Sequence, residues 1–179
     1  SLSFLAMIIA LVISFTAGIV SAMKKGTWLD HIVTFIAILG LSMPNFWLGI
    51  MLIIIFAVNL HWLPAIGYSP LSDGFWPWFS HLILPAIAVG APFAAIIARM
   101  IRSAMLEVSR EDYIRTARSK GLSARSVIFT HTLRNALIPV ITVMGIAFAL
   151  LMTGTVVVEN VFAIKGLGRV MIQSILNRD

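Results

Sequence analysis

The sequence predicts an all-α protein in which several helices cross a membrane as a polytopic bundle. Of its residues, 60% are hydrophobic and 11% are charged, and the mean hydropathy is +1.01. Soluble domains are nearer half apolar and a quarter charged. Long uncharged runs alternate with short segments that hold most of the Lys and Arg. We therefore predict four spans in a single membrane domain over 1–179, and we expect this domain to be part of a longer subunit.

The first span is predicted over 2–23. As a helix, this uncharged run crosses about 33 Å, which is enough for a hydrocarbon core of about 30 Å. Lys24 and Lys25 follow directly. Because cations are retained on the cytoplasmic side of a membrane, this pair places the turn after the first span in the cytoplasm.

The second span is predicted over 31–60, which at roughly 44 Å is long for one crossing. Pro44 lies in its middle, where it removes a backbone donor. The run is either one kinked helix or two half-spans with a break, and we favour the kinked helix because two full spans do not fit. Ser42 and Asn45 flank the proline, where they either satisfy the freed backbone groups or line a pathway.

The interval 61–81 contains no Lys or Arg and is predicted to be a loop on the side of the membrane opposite to the lysine pair. Its tryptophans, which are typical of a membrane interface, are Trp62, Trp76 and Trp78. His61, Asp73 and His81 make a poor set of metal ligands. We therefore expect an interfacial role for these residues and no metal site.

The third and fourth spans are predicted over 82–107 and 135–158. Two arginines, ending with Arg102, mark the cytoplasmic exit of the third span. Glu159 comes just after the fourth span, where it either faces a pathway or marks the interface. A short amphipathic helix is predicted over Val170–Leu176.

The polar interval 109–134 between these spans is predicted to be a cytoplasmic loop made of two short helices. Ser109 is suited to cap the first helix, with Asp112 three residues later as in a capping box. Ser123 is suited to cap the second helix. Gly121 lies between them and accepts a positive φ, so we expect it to be the hinge.

The first of these helices carries a narrow apolar stripe of Tyr113, Ile114 and Ala117. A helix this short is not stable alone in water. We therefore expect the stripe to fill a groove on a partner. Arg115 and Arg118 lie off the stripe and are suited to pair with acids at the rim of that groove.

Several classes of function lack support in the sequence. There is no Gly-rich phosphate loop, no HExxH and no GxSxG motif, and the chain has no Cys. We expect no span to bury an Asp, Glu, Lys or Arg, which leaves a proton relay without machinery. The net charge of +6 is explained by cytoplasmic cations, so nucleic acid is not an expected partner. We predict no catalytic residue, cofactor or metal, and a transport subunit that a partner drives.

The polar interval also resembles a known family. The run from Asp112 to Leu122 (DYIRTARSKGL), followed by His131 to Pro139 (HTLRNALIP), is similar to the cytoplasmic coupling loop of binding-protein-dependent ABC importer permeases with a MetI-like transmembrane domain. Further matches are SMPNFWLG from Ser42 and GTVVVENVF from Gly154, with GLGR from Gly166. Together they resemble the dipeptide/oligopeptide/nickel subfamily over nearly the whole chain.

The loop departs in part from the general family pattern. That pattern is Glu-Ala-Ala, a Gly after three intervening residues, and then Leu-Pro. Ala117 and Gly121 fit it, but Arg115 stands at the Glu position and Arg134 follows Leu133 where the pattern has Pro. This departure fits the peptide and nickel branch.

The resemblance implies a MetI-like subunit of six spans, of which this chain covers the second to the fifth. It also implies a pathway formed with a second permease subunit, two cytoplasmic ATPases that bind the coupling helices, and an extracytoplasmic solute-binding protein. All of these act at a bacterial or archaeal inner membrane, among its lipids. The implied ATPase-coupling residues are Tyr113, Ile114, Arg115, Ala117, Arg118, Gly121 and Leu122. The candidates for lining the pathway are Ser42, Pro44, Asn45, Glu159 and Asn160.

The implied mechanism is alternating access, in which ATP closes the ATPase dimer and the docked helices move with the spans. Peptide is the favoured substrate and nickel is the alternative, because no cluster of His or acids lines the spans. Two other classes stay open at this point. One is a membrane-embedded enzyme that acts on a lipid, and the other is a passive channel or assembly scaffold that needs no ATPase.

Overall fold

The computed structural model describes residues 1–153, 156–164 and 166, and over these residues the chain is helical without a strand. The predicted all-α polytopic fold is confirmed. The helices are α1 (Leu2–Met23), α2 (Trp28–Ser42), α3 (Asn45–Leu52), α4 (Phe75–Val108), α5 (Asp112–Ser119), α6 (Ala124–Ser126), α7 (Arg134–Thr153) and α8 (Val156–Val161). A π-helix at Ile53–Asn59 prolongs α3, and another at Val127–Leu133 joins α6 to α7. The helix predicted over 170–176 lies outside the described residues.

Helices α1 and α4 run parallel in the centre of the fold. Toward one end, a Cβ atom built on Gly90 lies 2.8 Å from the carbonyl oxygen of Ala6. Toward the other end, a Cβ atom on Gly18 lies 2.8 Å from the carbonyl oxygen of Ala98 and 2.9 Å from Cβ of Ile101. The two backbones therefore touch at both ends, at glycines that leave room for the contact.

The neighbouring helices run in the opposite direction to this central pair. The Oγ atom of Ser3, at the start of α1, donates to the carbonyl oxygen of Leu151 near the end of α7, at 3.0 Å. In the same way, a Cβ atom on Gly40, late in α2, lies 3.8 Å from the carbonyl oxygen of Ala91 in α4. This up-and-down order places the Lys24–Lys25 turn and the end of α4 on the same side, as the positive-inside rule requires.

The favoured single kinked helix over 31–60 is wrong. Helix α2 ends at Ser42, α3 begins at Asn45, and the two directions differ by 108°. Pro44 is extended between them, with φ −61° and ψ 136°, and its ring nitrogen has no hydrogen to continue the helix. The run is therefore a broken helix pair. Among the described residues three helices are long and apolar enough to span a membrane, or four with this pair as one span.

Helix α4 begins at Phe75, earlier than the predicted residue 82, so the end of the aromatic interval 61–81 is helical. Pro77 is the third residue of α4, where its missing N–H costs no intrahelical bond. The helix has 34 residues and is about 51 Å long, so it extends beyond a single bilayer crossing. Its last turns, which include Arg102, continue the third span without a break.

The connection after α4 differs in part from the predicted loop. Ser109 does not cap α5, because its Oγ atom donates to the carbonyl oxygen of Leu106 and so belongs to the end of α4. The cap predicted at Ser123 is confirmed, since its Oγ atom accepts from the backbone N–H of Ser126 at 3.3 Å. The second helix of the loop is not separate, because the chain stays helical from Ala124 to Met152.

Candidate functional site

The candidate site is helix α5 with its attachments to the bundle. Ile114 is fully buried and Ala117 is 7% exposed, and both pack on Val127 at the start of the long α6–α7 helix. Val108, the last residue of α4, packs against the same cluster. The expectation that Ile114 and Ala117 fill a groove on a partner is therefore wrong. They fill a groove of this chain, and burial of Ile114 alone contributes about 1.5–3 kcal/mol.

A hydrogen bond strengthens this attachment. The Nδ2 atom of Asn135, at the start of α7, donates to the hydroxyl of Tyr113 at 3.0 Å and to the carbonyl oxygen of His131 at 2.9 Å. Tyr113 is half exposed, so its ring also faces outward from the bundle. Helix α5 is thus held to α7 by one polar contact and one apolar cluster.

The end of α5 is a Schellman motif centred on Gly121, whose φ is +78°. The N–H of Gly121 donates to the carbonyl oxygen of Arg118 at 2.9 Å, and the N–H of Leu122 donates to that of Ala117 at 3.3 Å. The predicted positive φ of Gly121 is confirmed. Side chains other than Gly occupy this conformation at a cost of roughly 1–2 kcal/mol.

The outward face of α5 is polar and mostly cationic. Arg115 and Asp112 are both exposed and form an ion pair at 3.7 Å, which at such exposure contributes little to stability. Arg118 and Leu122 are exposed as well. A shallow cavity of about 440 Å³ lies on the α6 side and is lined by Ser123, Arg125, Ser126, Phe129 and Thr130. The surface available to a partner is therefore cationic, with the apolar rings of Tyr113 and Phe129 beside it.

The candidates for lining the pathway are in two places. Ser42 and Pro44 are exposed and Asn45 is half buried at the break between α2 and α3. The Oγ atom of Ser42 donates to the carbonyl oxygen of Ile38, one turn earlier in α2, at 2.9 Å.

The other two candidates lie on α8. Glu159 is buried, at 6% exposure, whereas Asn160 is exposed. A Cβ atom built on Gly166 collides with the carboxylate of Glu159. Helix α8 packs against α3, where a Cβ atom on Gly49 lies 2.9 Å from the ring of Phe162.

One polar cluster was missed from the sequence. Asp30, in the first turn of α2, accepts from Nε of Arg102 at 2.7 Å and from its second guanidinium nitrogen at 2.8 Å. Ser21 donates to the same carboxylate, and so does the N–H of Gly26 at 2.9 Å. The expectation that no span buries a charge is corrected here, because the side chain of Asp30 is only 4% exposed.

Comparison with known proteins defines the class. Residues 14–179 match the family model for the binding-protein-dependent transport system inner membrane component, and the chain belongs to this family. It is a multi-pass membrane protein, and the family predicted from the polar interval is confirmed.

Curated relatives have more specific names. A putative peptide transport system permease protein of Brucella abortus (strain 2308) is 48% identical over 100% of this chain and 57% of its own length. A di/tripeptide transport system permease protein of Pseudomonas aeruginosa (strain UCBPP-PA14) is 45% identical over 99% of this chain and 59% of its own. A glutathione transport system permease protein of Escherichia coli O1:K1 / APEC is 43% identical over 99% and 56%. The chain thus spans somewhat more than half the length of the relatives it matches.

Proposed function

We propose that this chain is part of a permease subunit in an ABC importer that moves di- and oligopeptides across the inner membrane of a bacterium or archaeon. The observation that carries this proposal is the mounting of α5. A short helix with a cationic outer face is fixed to α7 by the buried Ile114 and by the bond from Asn135 to Tyr113. An element attached in this way transmits the movement of a cytoplasmic partner to the membrane spans.

The proposed partners are supported by this arrangement and by the family. Two cytoplasmic ATPases bind the outer faces of α5 and its counterpart in a second permease subunit, and an extracytoplasmic solute-binding protein delivers the peptide. ATP hydrolysis belongs to the ATPases, so this subunit is not itself an enzyme. The exposed Arg115 and Arg118 pair with acids on the ATPase, while Tyr113 and Leu122 contact its apolar surface.

The proposed mechanism is a rigid-body movement with alternating access. When the ATPases close on ATP, α5 moves and takes the helix from Ala124 to Met152 with it, because Ile114 packs on Val127 and Asn135 donates to Tyr113. The backbone link between α5 and this helix is the turn at Gly121, so these side-chain contacts carry the movement. The ATPases thereby shift the bundle between inward-open and outward-open states.

Peptide is proposed over nickel because three relatives that cover nearly the whole chain are named for peptide, di/tripeptide and glutathione transport. The described residues contain no group of three or more potential metal-ligating side chains, so no observation favours a nickel site within them.

The proposal is tested with the full-length subunit and its partner subunits in proteoliposomes. Thr116 is exposed on α5, so a Thr116→Cys variant carrying a photoactivatable maleimide is expected to cross-link to the ATPase. Ser72→Cys, on the opposite side of the membrane, is the matched control and gives no ATPase adduct. Peptide uptake that persists without ATP identifies a passive channel instead. No adduct from Thr116→Cys overturns the proposed docking.

We predict that Gly121→Pro abolishes ATP-dependent peptide uptake while membrane insertion is retained. Proline cannot adopt φ +78° and removes the N–H that donates to Arg118, so the end of α5 is rebuilt. Uptake is measured with a radiolabelled dipeptide, and insertion by recovery in the membrane fraction. Gly145→Pro would break α7 and is therefore not a suitable control. Gly26→Ala is the control instead, because the positive φ of Gly26 lies in a different exposed turn. Normal uptake by Gly121→Pro contradicts the proposed role.

A further inference from the structure

A cavity of about 500 Å³ lies between α2, α4 and α7. This volume is within the range of small-molecule sites. The lining residues are Thr34, Leu41, Ile96, Arg99, Met100, Arg102, Ser103 and Val143. No part of this cavity coincides with α5 or with the residues predicted to line a pathway.

The cavity is asymmetric in polarity. Arg99, Arg102 and Ser103 follow one another on α4 toward the cytoplasmic end, while Ile96 and Leu41 line the part farther from that end. A ligand that fits both parts therefore has a polar or anionic group and an apolar group at a short distance from each other.

The charge at the polar end is not balanced. Asp30 neutralises Arg102 through two hydrogen bonds and fixes its guanidinium in the wall. Arg99 makes no ion pair with any residue that the structure describes, and it is exposed to the cavity. One net positive charge therefore remains beside the cavity, where it attracts an anion.

We propose that this cavity is a binding site for the C-terminal carboxylate of a short peptide, with Arg99 as its cationic partner. Arginine binds carboxylates in a bidentate geometry. The hydroxyl of Ser103 is placed to donate to the same group, and Ile96 and Leu41 receive an apolar side chain of the peptide. The inference rests on the proposed transport of peptides and names the group that the permease itself recognises.

This assignment explains how one permease accepts peptides of different sequence. The C-terminal carboxylate is an anion that all unmodified linear peptides share, whereas their side chains vary. A site built on one unpaired arginine beside an apolar wall selects for that shared group and imposes little demand on the side chain. Arg102 has a positioning role, because its own charge is already satisfied by Asp30.

The test measures binding of radiolabelled alanyl-phenylalanine to the complete transporter in nanodiscs, without nucleotide and without the solute-binding protein. Arg99→Gln is expected to weaken binding by roughly tenfold or more, the loss of one charged hydrogen-bonded contact. Arg99→Lys is expected to retain much of the affinity. The C-terminal amide of the same dipeptide is expected to bind weakly to wild type and to be insensitive to Arg99→Gln. Lys25→Gln, an exposed cation on the same side of the membrane, is the matched control.

Other outcomes overturn the inference. Equal affinity of wild type and Arg99→Gln for the free dipeptide rejects the carboxylate site. If native mass spectrometry shows an anionic phospholipid that is lost in Arg99→Gln while dipeptide binding is unchanged, the arginine holds a lipid headgroup instead. If the wild type takes up no peptide with ATP and its binding protein, the proposed function fails. If the wild type takes up peptide normally but the Arg99 variants bind the dipeptide as tightly as the wild type does, this inference alone fails.

Discussion

At the scale of single residues, Asp30 connects three parts of the bundle through one carboxylate. Its carboxylate joins the end of α1 through Ser21, the connecting turn through Gly26, and α4 through Arg102. Each oxygen accepts two hydrogen bonds. A carboxylate buried in this way is stabilised only as long as its partners stay in place, because an unpaired buried charge is costly.

We predict that Asp30→Ala lowers the free energy of unfolding of the full-length protein by roughly 2–4 kcal/mol. A fully buried pair loses about 3–5 kcal/mol when one partner is removed, and the value is reduced here because the Arg102 side chain is 31% exposed. The measurement is thermal unfolding in detergent. Asp73→Ala, an exposed acid at the opposite end, is the control and is expected to change stability by less than about 0.5 kcal/mol. Equal melting temperatures for both variants contradict this account.

Neither partner of this ion pair stands out in the sequence. Asp30 and Arg102 are 72 residues apart, and each is explained locally, Asp30 by the first turn of α2 and Arg102 by the cytoplasmic end of a span. What brings them together is the antiparallel packing of α2 on α4, which depends on the whole bundle. By contrast, the positive φ of Gly121 and the cap at Ser123 were predictable, because both depend only on neighbours within four residues.

At the scale of helices, two kinds of contact attach the elements to one another. Within the bundle, α1 and α4 approach through glycines that bring backbone against backbone. At the end of the bundle, α5 is attached through the buried Ile114 and the bond from Asn135 to Tyr113. Of the apolar stripe predicted on α5, Ile114 and Ala117 are buried against this chain and not against a partner, whereas Tyr113 is half exposed. Periodicity shows which face of a helix is buried, and it carries no information about what covers that face.

Glycine at the α1–α4 contact is expected to be irreplaceable. Gly90→Ala places a methyl group 2.8 Å from the carbonyl oxygen of Ala6, and we predict a loss of about 1–3 kcal/mol from overpacking. Gly145→Ala is the matched control, because no atom lies within 4 Å of its added Cβ and alanine favours the helix. Thermal unfolding compares the two variants. A larger loss in Gly145→Ala is incompatible with the parallel packing described.

Loss of the hydroxyl on Tyr113 is expected to loosen the link between α5 and α7 without unfolding either helix. Tyr113→Phe removes one hydrogen bond of about 1 kcal/mol, and the number of ATP molecules hydrolysed per peptide imported is predicted to rise by up to about fivefold. Tyr68→Phe, an exposed tyrosine in the opposite loop, is the control. An unchanged ratio in Tyr113→Phe indicates that the Ile114 cluster alone transmits the movement.

At the scale of the whole molecule, the alternation of apolar runs and cationic turns is sufficient to predict an all-α polytopic protein, with three candidate spans among the described residues or four with the broken pair as one. The break at Pro44 is not predictable in this way. A proline within a long apolar run permits a small kink or a full break, and the choice depends on what the following helix packs against. Here α3 packs through Gly49 on the ring of Phe162, more than one hundred residues later in the chain. Contacts of that separation are absent from any local pattern.

The topology is testable because the chain contains no Cys, so single cysteines report on one position each. Lys25→Cys and Lys120→Cys are predicted to react with a membrane-impermeant maleimide only in inside-out vesicles. Ser72→Cys is predicted to react only in right-side-out spheroplasts. All three residues are exposed in the structure, so a failure to react reflects the side of the membrane. If Lys25→Cys and Ser72→Cys are labelled from the same side, the broken pair of α2 and α3 does not cross the membrane.

The parallel contact of α1 with α4 also determines the order in which the protein is assembled during synthesis. Ala6 leaves the ribosome 84 residues before Gly90, the residue whose backbone it touches. At 5–20 residues per second, this interval is roughly 4–17 s. Throughout this time α1 lies in the bilayer or beside the insertion machinery without its main partner, and α2 and α3 are inserted first. The central contact of the bundle therefore forms late, around helices that are already in the membrane.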